Sequence, residues 1–272
     1  MSEERVVVTG ATGFVGRHVV RNLVDEGYCV IACGRDRKKA MTLDWYGSVQ
    51  FEQIDHHRAE LVLDEYEGVG LIHLAWAGLP NYTDPFHVEE NLPRNYALVK
   101  DLVTKGINHV LVVGTCLEYG MVEGAIPADQ PTAPENPYAI AKDRLRKQLE
   151  HLREESPFSL TWARLFYMYG EGQNGKAILS QLDRAIAKGD RQFDMSGGEQ
   201  LRDYLPVEAV ASQLVALYES GKEGVFNICS GEPISIRQLV EQRIKERGSA
   251  IEPNLGHYPY ADYEPMAFWG KK

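Results

Sequence analysis

The stretch Val6-Val7-Val8-Thr9-Gly10-Ala11-Thr12-Gly13-Phe14-Val15-Gly16 decides how this chain folds. A β-branched apolar run comes first, and three glycines spaced three apart follow it. Beyond them, Phe14, Val15, His18, Val19, Asn22, Leu23 and Glu26 mix apolar and polar positions at helical spacing. The pattern predicts a strand, a tight glycine turn and a helix. Gly10 lets the chain turn, Gly13 leaves room for a pyrophosphate against the backbone, and Gly16 lets the helix pack close to the strand. The phosphates would rest on free N–H groups at the helix N-terminus, where the helix dipole also favours negative charge. Glycine turns of this kind also occur with no ligand. The strand before and the helix after this one favour a dinucleotide site, with Gly10, Gly13, Phe14, Val15 and Gly16 as its cofactor-binding turn.

The chain around this turn has 272 residues and 44% hydrophobic content, enough for one large core or a core plus a small lobe. Its net charge of −10 argues against broad binding to nucleic acid or to an anionic membrane. Cys29, Cys33, Cys116 and Cys229 have no metal-ligand spacing and no CxxC, so no metal site is expected. Cys29 and Cys33 flank or enter a buried strand and read as core thiols rather than a disulfide. No apolar run approaches the roughly 20 residues that span a bilayer. Met1-Ser2-Glu3-Glu4-Arg5 lacks a signal-peptide pattern, and a soluble cytoplasmic protein is the expectation.

Residues 28–33 form a second apolar run, expected as a parallel strand whose end meets the adenosine ribose. An acidic residue there would bond the ribose hydroxyls and select NAD. The slot falls near Gly34, and Arg35, Asp36, Arg37, Lys38 and Lys39 follow. A missing carboxylate beside several cations favours NADP(H), with Arg35 at the 2′-phosphate. NAD(H) stays open, because Asp36 reaches the ribose if the turn is shifted by two residues. The charge cluster also reads as a solvated helix start capped by Asp36.

Further strands are expected at 49–54, which ends in Asp55-His56, at 71–75 and at 110–113. Helical patterns at 58–66 and 87–105 lie between them, the second stopped by Gly106. Strands alternating with helices predict an α/β fold, a doubly wound parallel sheet covered on both faces. Its ligand should lie across the carboxyl ends of the strands. Gly78-Leu79-Pro80-Asn81 follows at that edge, with Trp76 either lining the site or covering the core.

After the fifth strand comes Gly114-Thr115-Cys116-Leu117-Glu118-Tyr119-Gly120, then a loop holding Pro127, Pro131, Pro134 and Pro137. Tyr138-Ala139-Ile140-Ala141-Lys142 opens a charged amphipathic helix that runs to about Glu154. Tyr138 and Lys142 are four apart and share a helix face. A nearby ammonium, with the positive nicotinamide ring, would stabilise a phenolate and lower the Tyr138 pKa. The phenol could then exchange a proton with a carbonyl/alcohol pair while hydride moves to or from the cofactor. Lys142 would also hold the nicotinamide ribose, and Thr115 could polarise the same oxygen. A Tyr and a Lys four apart are usually surface residues. The glycine turn and the strand-end Thr115 single this pair out as catalytic.

Together these residues resemble the extended short-chain dehydrogenase/reductases, the group of nucleotide-sugar epimerases, dehydratases and reductases. The resemblance runs from 9–16 through Asp55, His73-Leu74-Ala75 and Asn91 to Thr115, Tyr119-Gly120, Tyr138 and Lys142. It continues with Arg164, Tyr169-Gly170, Arg202-Asp203-Tyr204, Asn227 and Ser230-Gly231. It implies a Rossmann-type domain over 1–166 and a smaller substrate-binding lobe over 167–272, interleaved with the first. It implies that Asp55 and His56 contact adenine, that Leu74, Ala75, Trp76 and Asn91 lie along the cofactor, and that Thr115, Tyr138 and Lys142 are the catalytic set. Trp76, Cys116, Tyr167 and Arg202 fall at the substrate, Arg202 either as a forked cation on a diphosphate or in a surface pair with Asp203. The family commonly dimerises through a four-helix bundle, here 87–105 and 138–154 of each subunit. Leu92, Tyr96, Val99 and Val103 supply an apolar stripe, part of which must cover the subunit's own sheet.

The departures narrow the reaction. The 4,6-dehydratases follow the catalytic Thr with Asp and Glu, whereas Cys116 and Leu117 stand here, so dehydration has no evident acid/base pair. Tyr167 replaces the family's usual Asn before Tyr-Gly, and the chain stops at Lys272 where relatives often continue, which implies a lobe trimmed or completed by a partner subunit. Three classes remain. The favoured one reduces the C4 keto group of a nucleotide-activated 4-keto-6-deoxyhexose and consumes NADPH. The alternative is a 4-epimerase with tightly bound NAD. A non-catalytic cofactor-binding regulator would not need Tyr138 and Lys142. The run 73–82 resembles the corresponding loop of the 4-ketoreductases.

Overall fold

A computed structural model describes residues 4–54, 63, 66–260 and 264–272. Asp55, His56 and most of the 58–66 helical pattern lie outside the described residues. In chain order the elements are β1 (Arg5–Thr9), α1 (Gly16–Asp25), β2 (Cys29–Gly34), α2 (Arg37–Ala40), β3 (Gln50–Gln53), β4 (Val69–His73), α3 (Leu92–Thr104) and β5 (His109–Thr115). Next come β6 (Gly124–Ile126), α4 (Pro137–Glu155), β7 (Ser159–Leu165), β8 (Tyr167–Tyr169), α5 (Ile178–Lys188), β9 (Gln192–Asp194), β10 (Leu201–Arg202) and β11 (Tyr204–Pro206). The last are α6 (Val207–Glu219), β12 (Gly224–Ile228), β13 (Ile234–Ser235), α7 (Ile236–Glu246), β14 (Glu252–Asn254) and β15 (Ala267–Gly270).

The chain divides into two compact units. The first spans 1–120, 131–165 and 207–228, the second 121–130, 166–206 and 229–272. Helix α6 and strand β12 therefore belong to the first unit although they lie beyond residue 166.

The first unit is built on a seven-stranded sheet of order β12-β7-β5-β4-β1-β2-β3, every pair parallel. Its interior strand β1 is the β-branched run, with Val6, Val7 and Val8 fully buried, as a strand covered on both faces requires. Val7 stands opposite Ile31 on one side and Leu71 on the other. From β1 the chain winds outward to β3, then returns to the other side of β1 as β4. The order thus reverses between β1 and β4, and a ligand crevice opens at such a reversal. On one face Val7, Leu71, Val110 and Trp162 pack with Leu98 and Leu102 of α3 and with Leu145 and Leu149 of α4. Each such leucine contributes about 1.5–3 kcal/mol by leaving water. Beside β1, α1 meets α6, where the Asn22 amide donates to the Ser212 hydroxyl at 3.1 Å.

Two local expectations change. The single helix over 87–105 is a wide π-type turn at His87–Asn91 followed by α3. Pro93 sits in the first turn of α3, where its missing N–H costs no helical bond. Leu92, Val99 and Val103 of the apolar stripe lie in the unit's own core, with Tyr96 half-buried against it. Cys33, Cys116 and Cys229 are buried, but Cys29 is exposed because it is the first residue of β2, at the rim of the sheet. Burial pushes the Cys33 thiol up to about 12, an inert group.

In the second unit β13-β10-β15-β6 form a small sheet, and β11-β8 and β14-β9 pair in parallel. Leu179, Leu182, Phe193, Met195, Leu239, Val240 and Ile251 form its core. Among the described residues, no helix is long and apolar enough to cross a membrane.

Candidate active site

The glycine turn sits at the sheet reversal. Gly10 has φ +70°, and a Cβ there would lie 2.9 Å from the Ala75 nitrogen, so only glycine lets the turn lie against the end of β4. A Cβ on Gly16 would stand 2.1 Å from the Gly10 carbonyl oxygen, which ties the helix start to the turn. The Gly13 N–H donates to that oxygen at 2.8 Å. Among the described residues, helix α1 has no side-chain cap, and no backbone acceptor takes the N–H of Phe14 or Val15. An uncapped N-terminus beside a glycine-rich turn fits the diphosphate of a dinucleotide, so these residues suit such a cofactor. Leu74 and Ala75 lie directly against Gly10.

At the end of β2, Asp36 accepts the Lys39 N–H at 3.0 Å and caps α2. Arg37 lies over the Phe51 ring at 5.2 Å and donates to the Phe51 carbonyl. Arg35 is exposed beside Gly34. The sequence left Asp36 between a cap and a ribose contact; in the chain it is the cap.

A relay of buried polar groups fixes the end of β4. The Ala75 N–H donates to the Thr9 hydroxyl at 3.3 Å, and that hydroxyl meets His73 Nδ1 at 2.8 Å. His73 Nε2 meets Asn95 Oδ1 at 2.9 Å, the Asn95 amide donates to the Asn91 carbonyl, and the Asn91 amide donates to the Ala77 carbonyl, both at 2.7 Å. An amide oxygen only accepts, so His73 carries its proton on Nε2 and accepts from Thr9 at Nδ1. Asn91 thus holds the 75–77 segment from within the protein.

Thr115 ends β5 and opens a tight turn. Its hydroxyl accepts the Leu117 N–H at 3.3 Å, and Glu118 accepts the Thr115 N–H at 2.8 Å. Glu118 is fully buried, with Arg164 donating at 2.7 Å and Trp162 at 3.1 Å. Burial raises the Glu118 carboxyl above the usual range against the pull of Arg164. Cys116 is buried in the same turn.

Asn136 caps α4 by accepting the Ala139 N–H at 2.9 Å, and Pro137 occupies its first position. That start places Tyr138, whose N–H donates to the Tyr82 carbonyl at 3.1 Å and whose hydroxyl is hydrogen-bonded to Thr115. One turn on, the buried Lys142 ammonium donates to the Val113 carbonyl at 2.8 Å and lies 4.1 Å from the centre of the Trp76 ring. Burial lowers the Lys142 pKa to about 7, with the Glu118 charge opposing.

Lys142 was expected to lower the Tyr138 pKa, and the chain alone does the reverse. Burial, then the neighbouring Tyr82 and Glu118, raise it above 10.0. The ammonium is directed to a carbonyl and an indole face, where it gives the phenol little help. Tyr138 is therefore a neutral phenol in the chain by itself.

In the second unit, Arg202 is 1% exposed, donates to the Leu201 carbonyl at 2.9 Å and Glu264 at 3.0 Å, and lies 5.7 Å from the Tyr167 ring centre. It does not pair with Asp203, which instead accepts the N–H groups of Ser230 and Gly231 at 2.7 and 2.9 Å. Three residues escaped the sequence reading. Thr115-x-x-Glu118 is a capping-box pattern that could have been read. Tyr82 and His87 reach Tyr138 from the 76–91 segment, and no spacing rule marks them.

A parallel sheet with a glycine turn at its reversal is the Rossmann-type class of dinucleotide-binding proteins. Within that class, the model of the NAD dependent epimerase/dehydratase family matches residues 6–229, and the chain belongs to this family. It is 32% identical over 273 residues to the dTDP-6-deoxy-L-talose 4-dehydrogenase (NAD(+)) of Aggregatibacter actinomycetemcomitans, covering 98% of this chain and 99% of that one. It is 25% identical over 255 residues to the dTDP-4-dehydro-6-deoxyglucose reductase of Escherichia coli, covering 87% and 79%. Among solved structures, the UDP-N-acetylglucosamine 4-epimerase of Methanobrevibacter ruminantium superposes with a TM-score of 0.84 at 23% identity, over 99% of this chain and 90% of that one.

Proposed function

We propose that this chain reduces the C4 keto group of a nucleotide-activated 4-keto-6-deoxyhexose, with Tyr138 as the proton donor. The observation that carries the reading is the placement of Tyr138: a buried phenol beside Thr115 and one helical turn from Lys142. Reduction of a ketone consumes a proton at its oxygen, which a phenol in that place can supply. The likeness to a 4-dehydrogenase and a 4-keto reductase of deoxysugars supports C4 chemistry, since both names describe interconversion of a C4 alcohol and a C4 ketone on a dTDP-linked 6-deoxyhexose, in opposite directions.

The nicotinamide cofactor supplies the hydride when bound. The chain's own residues do the rest. The turn from Gly10 to Gly16 offers N–H groups to the diphosphate, and Arg35 offers a cation at the adenosine end, for which we propose a preference for NADP(H). Thr115 orients the sugar oxygen while Tyr138 donates to it. Lys142 holds the nicotinamide ribose and keeps positive charge beside the phenolate that remains. Trp76 and Cys116 face the sugar, and Arg202 with Tyr167 takes the diphosphate of the nucleotide, with Glu264 giving up the guanidinium fork. The chain acts in the cytoplasm as a homodimer through α3 and α4, with Tyr96 as the half-buried member of the α3 stripe.

The test incubates the purified protein with a panel of nucleotide-linked 4-keto-6-deoxyhexoses and NADPH and follows absorbance. Stoichiometric oxidation of NADPH is expected. Interconversion of C4 epimers with no net loss of NADPH would replace the reductase by an epimerase.

A further inference from the structure

The residue with the least explained position near Tyr138 is His87. It is fully buried at the start of the wide turn that precedes α3, and π-type turns inside helices recur at functional sites. Both of its ring nitrogens have fixed roles. The Trp76 Nε1–H approaches His87 Nδ1 at 3.1 Å, and an indole N–H can only donate. Nδ1 is therefore an acceptor, and the Asn91 amide points at it as well, from 3.3 Å. The proton is on Nε2, which donates to the Asn81 carbonyl at 2.8 Å. The imidazole is thus neutral and bridges two ends of the segment that runs from Trp76 to Asn81. The same segment closes tightly over it: a Cβ on Gly78 would stand 3.2 Å from His87 Cε1.

The ring also stands in an aromatic group around the reacting pair. It lies 21° from parallel with Trp76, and its centre is 5.4 Å from that of Tyr138. Trp76 stands edge-on to Tyr138 and carries Lys142 on its face.

We propose that His87, locked in its neutral Nε2–H form, is a positioning residue that sets the Trp76 indole under the Lys142 ammonium and thereby keeps Lys142 charged beside Tyr138. The inference rests on the reading of Tyr138 and Lys142 as the reacting pair. A cation over an indole face is stabilised by the ring's quadrupole, most strongly where water is excluded. The other groups that bear on Lys142 are the Val113 carbonyl, the Glu118 carboxylate with its partner Arg164, and the Tyr138 phenol. Glu118 also favours the ammonium, and burial opposes it. Losing the indole face leaves burial less opposed, so Lys142 gives up its proton at lower pH.

The experiment compares His87→Phe, Trp76→Phe and the double variant, with His87→Gln as a rescue. A glutamine amide can accept from Trp76 and donate to Asn81, as the imidazole does. The reading is the pH dependence of kcat/KM for carbonyl reduction. The basic limb should move to lower pH by about half to one unit in each single variant. In the double variant it should move no further than in the larger single, and His87→Gln should restore most of it. A second reading needs no turnover: nitrogen-15 shifts of the His87 ring in the protein without cofactor. They should show a protonated Nε2 and a bare Nδ1. A limb that stays in place, additive shifts, or a proton on Nδ1 would overturn the proposal. Were Tyr138→Phe to keep its rate in the same assays, the functional reading itself would fall, and the tautomer result would still stand on its own.

Discussion

Replacing Lys142 by Met should stabilise the fold while it abolishes function, and the size of the effect should depend on pH. Lys142 is 2% exposed, and burial lowers its pKa from 10.5 to about 7. Below about pH 7 both folded and unfolded chains carry the charge, and the folded state bears the full cost of burying it. A fall of roughly three and a half units corresponds to about 5 kcal/mol as a ceiling. Between pH 7 and 10.5 the unfolded chain binds more protons than the folded one, so the stability of the unmodified protein rises with pH and the cost fades. Near pH 9 roughly 2 kcal/mol of it remains. Methionine fills a similar volume without charge but leaves the Val113 carbonyl without its donor, which costs about 1–2 kcal/mol. Lys142→Met should therefore gain about 3 kcal/mol near pH 6 and close to nothing near pH 9. Urea unfolding of both proteins without cofactor, at the two pH values, measures this directly. A variant destabilised at both, or a difference that does not change with pH, would refute the claim that Lys142 is a desolvated cation.

Tyr138→Phe keeps the ring among Trp76, Tyr82 and His87 and removes only the hydroxyl, so fold and cofactor binding should survive. Single-turnover hydride transfer at saturating cofactor should slow by about 10²- to 10⁴-fold, and a near-normal rate would make Tyr138 structural. Arg35→Ala should weaken NADP(H) far more than NAD(H) in a binding titration; equal binding of both by the unmodified protein would end that proposal. Glu118→Ala takes the carboxylate from the buried Arg164 guanidinium and from the Thr115 N–H, and should cost about 3–5 kcal/mol in denaturant unfolding, a loss under 1 kcal/mol marking the pair as dispensable. Light scattering at micromolar concentration should give the mass of a dimer, and a monomer alone would remove the paired α3 and α4.

The sheet was legible because the signals that build it are local. Val6 to Val8 can only be a strand with both faces covered, and Gly10, Gly13 and Gly16 stand where a Cβ would strike backbone. The alternation of strands and helices then forces the parallel order, and the strand reversal puts the turn at the ligand edge. Tyr138 and Lys142 could be put on one helix face from their spacing, and the glycine turn and Thr115 singled them out. Their charge states could not be read that way, because those depend on how completely the pair is buried and on where the ammonium points. Spacing put Lys142 beside Tyr138, and packing put its nitrogen on Trp76 and the Val113 carbonyl. The Glu264 partner of Arg202 was not legible for a similar reason. Asp203 is its neighbour in sequence but accepts from the Ser230 and Gly231 N–H groups, and Glu264 meets the guanidinium from 62 residues further on. His87 was invisible: a lone histidine in a helical pattern carries no mark, and the wide turn that aims it arises from contacts with Trp76, Asn81 and Asn91.

The central claim, a hydride delivered from an exchangeable cofactor to C4 of the sugar while Tyr138 supplies the proton, is tested most directly with NADPH deuterated at the transferring position. Incubated with a nucleotide-linked 4-keto-6-deoxyhexose, the protein should yield an alcohol carrying one deuterium at C4, with one NADPH oxidised per product. An epimerised sugar without deuterium, formed with no NADPH consumed, would contradict it.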